Sequence, residues 1–183
     1  MKLFKKLAAA ALAAVLALSM VGCGNANSVN PTKQLVLNLI ADSAAQGDAE
    51  INNTAEMDGI AQNLLNKAAE LYGSEGHADQ SVVNLLKSAS ETEGVGFAEG
   101  KTYRVSCAED YQFKSSLMPN AVKQGIFFMN LTQNGFTVPQ DSSINTKKAD
   151  VGVAVGKIGD KTYVVMVTML KEPAAAPGTP DGD

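Results

Sequence analysis

The chain has 183 residues, 45% of them hydrophobic and 19% charged, with 15 basic against 19 acidic side chains. That length suits one domain, two at most. One His, two Cys and no Trp exclude the commoner structural zinc patterns and any disulfide framework. Lys2, Lys5 and Lys6 all precede an apolar run, so without residues 1–22 the balance is 12 basic to 19 acidic charges, or −7. Such an acidic surface would release no phosphate counterions, and no nucleic-acid partner is expected.

Residues 7–20 form an apolar stretch of Leu, Ala, Val, Met and one Ser, shorter than the roughly 20 residues that cross a hydrocarbon core. A basic start, a short apolar run and small residues after it mark a secretory signal peptide, residues 1–22. The stretch ends in Met20-Val21-Gly22-Cys23, which resembles a bacterial lipobox with Met20 where Leu is usual. The resemblance implies cleavage before Cys23 and acylation of that Cys, palmitate included. The protein would then be held by lipid to the cell membrane, facing away from the cytoplasm. Residues 23–31 are small and polar and read as a flexible tether. Residues 173–183, rich in Pro, Ala and Gly, have little to bury and read as a disordered tail. A folded unit of residues 32–172 remains, enough for one core.

Within it, Leu35, Val36, Leu39 and Ile40 predict a short helix ending near Gln46-Gly47. Met57, Ile60, Ala61, Leu64, Leu65, Ala68, Leu71 and Tyr72 follow the three-four spacing of one buried helical stripe. Asn53 or Thr54 would cap that helix, and Glu56 and Asp58 suit its positive first turn. Residues 81–90 predict a third helix. Residues 101–107 alternate, with Tyr103, Val105 and Cys107 on one side, as a strand does. Pro119 can open a fourth helix that runs through Ile126-Phe127-Phe128-Met129 to a stop at Asn134-Gly135. Four large apolar residues in a row suggest a central helix. Residues 149–157 and 161–170 predict a hairpin around Ile158-Gly159-Asp160. Its first arm shows Val151, Val153 and Val155 on one face and Gly152, Ala154 and Gly156 on the other, which would admit a helix unusually close. The second arm is apolar on both faces and needs cover on both sides. The expected fold class is α+β: an α/β/α sandwich with a small antiparallel sheet covered by helices on both faces.

Two stretches resemble the CAP superfamily (cysteine-rich secretory, antigen 5 and pathogenesis-related proteins, SCP-like) in its Cys-poor bacterial members. Leu35-Val36-Leu37-Asn38-Leu39-Ile40 followed by residues 60–70 looks like the family's opening helix pair, L-x-N-x-x-R and then L-x-x-A-A-x-x-x-A. Asp150-Val151-Gly152-Val153-Ala154-Val155, Gly159 and residues 163–167 look like its closing V-G-V-G-V and Y-x-V-x-x-F hairpin. The resemblance implies a cleft with two His and two acidic residues able to hold a divalent metal. Here His77 is the only His, and it follows the second helix, where the family's first His often falls. The G-E-N-I/V strand has no match; Tyr103-Arg104-Val105-Ser106 could occupy its place without the Glu. The W-x-x-S-x-x-H helix is missing as well. No metal site and no cofactor are therefore expected.

Among chemical candidates, His77 with Glu75 or Asp79 offers a ligand-binding or acid–base group, or else a solvated loop. Cys107 is a candidate nucleophile, or a small core residue on its strand. Glu91, Glu93, Glu109 and Asp110 read as solvated charges, and no G-x-S-x-G or S-x-x-K motif is present. The function that follows is non-catalytic: binding of a small apolar or peptidic ligand, or of another cell-envelope component. The loops around His77 and over residues 91–101 would form the working surface. Two alternatives stay open, a peptidase-like envelope hydrolase using His77 with nearby carboxylates, and a structural or interaction subunit without a pocket.

Overall fold

The computed structural model describes residues 30–72, 74, 80–110, 119–139 and 148–171. In chain order the elements are α1 (Pro31–Gly47), β1 (Glu50–Asn53), α2 (Ala55–Tyr72), α3 (Val82–Ser90), β2 (Thr102–Glu109), α4 (Asn120–Gln133), β3 (Gly135–Val138), β4 (Lys148–Ile158) and β5 (Lys161–Leu170). The strands form one sheet in the order β1-β4-β5-β2-β3. Neighbours are antiparallel except β1, which runs parallel to β4 from Glu50 opposite Lys148 to Asn53 opposite Val151. The expected α/β/α sandwich is present, and the short edge strand β1 makes its sheet mixed.

Alternation along the strands sends two sets of side chains to two cores. Tyr103, Val105 and Cys107 of β2, Ala154 and Ile158 of β4, and Val165 and Val167 of β5 face α2 and α3. Ala108, Val151, Val153, Val164 and Met166 face α1 and α4. The α2 stripe is buried as its spacing predicts, from Met57 to Ala68, and Thr54 caps it, its Oγ1 accepting from Met57 N at 3.2 Å. Asn30 caps α1 through two backbone N–H groups, with Pro31 in the first turn. That helix buries Val36, Leu37, Ile40 and Ala44, whereas Leu35 and Leu39 are half-buried, so its stripe is turned by part of a residue from the expected one. It ends at Asp48, whose φ of 53° takes the left-handed turn that Gly47 does not.

On β4 the glycine face works as its composition suggests. A Cβ on Gly152 would fall on the Met57 carbonyl and the Asp58 backbone N, so the first turn of α2 lies directly on the strand. One carboxylate completes this junction. Asp58 Oδ1 accepts from Val153 N at 2.9 Å and Asn53 Nδ2 at 3.0 Å, while Oδ2 meets Lys33 Nζ at 2.8 Å. Chain β1 leaves the sheet at Asn53, and Asp58 accepts the strand N–H that β1 no longer reaches. Helices α1 and α2, on opposite faces, are thereby tied to one point of the sheet edge.

The fourth helix differs from expectation. It is not central: α4 lies in an outer layer, burying only Lys123, Phe127 and Leu131. Val122 and Met129 are 48% exposed and Ile126 37%. The run of four apolar residues goes round the helix instead of into one core, because successive helical residues diverge by about 100°.

Candidate functional site

The two helical layers close differently over the sheet. On the α2/α3 side, residues 91–101 lie across the helices and are fixed there. Val95 is buried, Asn63 Nδ2 reaches the Gly94 and Val95 carbonyls, and the Tyr103 hydroxyl accepts from Ala98 N at 3.0 Å. Phe97 packs on the Tyr103 ring with centroids 4.7 Å apart. This loop, expected as part of the working surface, is pinned to one core by Val95 and Phe97, while most of its residues stay exposed.

On the other side α1 and α4 leave an apolar cleft of about 190 Å³. Its walls are Ile40 and Ser43 from α1, Phe128 and Thr132 from α4, and Ile51 from β1. Its floor is Val151 of β4 with Met166 and Thr168 of β5. Branched side chains on this face of the strands hold the helices off the backbone, where glycine on the opposite face lets α2 settle onto it. The α4 wall is set from beneath. Arg104 Nη2 donates to the Thr132 carbonyl at 2.7 Å, a cation on the negative end of the helix. The Thr132 hydroxyl is within 3.0 Å of the carbonyls of Phe128 and Met129, so it is held against its own helix.

The lining therefore offers five apolar side chains and three hydroxyls, with no carboxylate, amine, imidazole or thiol. It can exclude water and supply a few hydrogen bonds, and it supplies no group that exchanges protons near neutral pH. A volume of this size takes a ring or the end of an aliphatic chain; an apolar cavity of roughly 150 Å³ already holds benzene.

Cys23, Glu75, His77 and Asp79, the residues singled out for lipidation and ligand binding, lie outside the described residues. Cys107 is buried on β2 among the α2/α3 core, and burial pushes its thiol up to about 11, which opposes the nucleophile and favours the core reading. Glu109 is engaged by Lys161 Nζ at 3.2 Å, a contact that holds the Lys161 proton above its ordinary range. Asp110 accepts from the Thr32 hydroxyl at 3.1 Å and so ties β2 to α1. Among the described residues, no three His, Cys, Asp or Glu side chains gather to hold a metal ion. Among them, too, no helix is long and apolar enough to cross a membrane.

Sequence reasoning did not find the cleft. Ser43, Thr132 and Thr168 are scattered hydroxyls with no motif around them. The one signal was Phe128, an apolar residue that a single buried stripe on α4 could not accommodate together with Phe127. No family model, no curated protein and no solved structure matches the chain.

Proposed function

We propose that this chain is an extracytoplasmic lipoprotein, anchored to the membrane by acylation of Cys23, whose CAP-like α+β domain binds the apolar part of a small or peptidic ligand without covalent chemistry. The observation that carries this reading is the lining of the cleft between α1 and α4: five apolar side chains, three hydroxyls and no ionisable side chain. A peptidase-like use of the same cleft would need an acid–base pair that its lining does not contain. The volume of about 190 Å³ fits one buried anchor, such as the end of an acyl chain or a single apolar side chain, with the rest of the ligand outside.

Ser43 gives a clean test, since it is exposed on α1 at the edge of the cleft and its side chain is not part of the core. Ser43→Phe should fill the opening, weaken binding of short aliphatic alcohols or acyl peptides at least about tenfold, and leave the melting temperature unchanged. Binding of these probes that is unaffected by Ser43→Phe would reject the cleft as the site. Turnover of envelope peptides that His77→Ala removes would replace this reading with the hydrolase one.

A further inference from the structure

We propose that the outward face of α4 rests on a lipid bilayer, the one to which the chain is tethered; the inference builds on the lipid anchor at Cys23 put forward above. Val122, Ile126 and Met129 recur at the four- and three-residue spacing that lines one side of a helix, and all three are exposed. Three partly exposed side chains fall well short of the ~800 Å² per partner that a stable protein interface buries. A second copy of the chain would gain too little from this stripe alone. A bilayer needs less, because a tethered domain meets the surface at high effective concentration.

Charge favours the same occupant. The chain averages one acidic residue in ten, yet α4 contains no Asp or Glu, and its single Lys, Lys123, is buried. A face meant for anionic headgroups must lack carboxylates, whereas a solvated helix has no such requirement. The tether is short: seven residues separate Cys23 from Pro31, the first residue of α1, and the link spans at most about 27 Å when extended, which keeps the domain beside the bilayer.

The absence of Trp makes the test direct. Full-length Ile126→Trp, purified as the cell processes it, is mixed with vesicles of equal parts phosphatidylcholine and phosphatidylglycerol carrying brominated acyl chains. Asn84→Trp, on the exposed side of α3, serves as the control. If the chain floats with the vesicles, the account expects emission of Ile126→Trp to shift to the blue and fall about twofold or more, with Asn84→Trp unchanged. Adding Met129→Glu should restore the emission without releasing the chain. A floating chain whose Ile126→Trp emission is unquenched overturns the docking and leaves the anchor standing. A chain that does not float overturns the anchor; the docking is then read at excess lipid, where quenching upholds it and its lack rejects it. A blue shift without vesicles, together with a doubled mass in solution, would assign the face to a second copy and also reject the proposal.

Discussion

The two faces of the sheet are built from the same strands and close to different extents. Over one, Gly152, Ala154 and Gly156 let the α2 backbone reach β4, α3 fills the remaining space, and residues 91–101 cover the outside. Over the other, Val151, Val153 and Met166 stand between the strands and the helices, and α1 and α4 diverge around a cleft. One strand thus sets both outcomes through its alternation: small residues on one side make a closed layer, branched residues on the other leave an opening. Among the described residues, the open face carries the apolar cleft.

That contrast is most easily broken at Gly152. Gly152→Ala places a Cβ against backbone atoms of Met57 and Asp58, which cannot rotate away. It should cost about 3 kcal/mol or more, measured by urea unfolding. At Gly156 an added Cβ would meet only the Cδ2 end of Leu65, at 2.7 Å, so Gly156→Ala should cost about 1 kcal/mol. Equal costs would show that α2 is not seated as described. Between these lies Asp58→Ala, which strips the acceptor from Val153 N and Asn53 and the partner from Lys33. A loss of about 2 kcal/mol is expected, and Asp58→Asn, which keeps one acceptor oxygen, should recover part of it.

The smallest effect is silent at neutral pH. The Cys107 thiol, raised from 9.0 to about 11 by burial, keeps its proton in the folded chain after the unfolded chain has lost it. Its contribution is therefore whole below pH 9 and lost as the pH rises to about 11. Tyr163, also raised, first by burial, adds a loss of the same sign. Cys107→Ala should flatten the fall in stability over this range and leave the tyrosine part. A fall of the same size in Cys107→Ala would place the thiol outside the core.

Much of the closed face was legible in the sequence, because each of its signals is local. The stripe from Met57 to Ala68, the alternation of Tyr103, Val105 and Cys107, and the Gly–Ala face of β4 each follow from spacing within one element. The open face depends on how separate elements meet. β1, Glu-Ile-Asn-Asn, has four residues and a single large apolar side chain, and it becomes a strand only because Lys148 to Val151 present a free edge. β3, Gly-Phe-Thr-Val, follows a helix with one residue between them and exists through pairing with β2. For α4, counting apolar residues measured how much surface it carries; whether neighbours cover that surface is a tertiary matter. Hydroxyls from α1, α4 and β5 come to line one cleft only in the folded chain.

Titration of the full chain with a short aliphatic alcohol, followed by methyl NMR, tests the contrast most directly. The account predicts saturable shifts at Ile40, Ile51, Val151 and Met166, with Leu64, Leu85, Leu86 and Val105 unmoved. Shifts confined to the second group, or none in either at saturating probe, would contradict it.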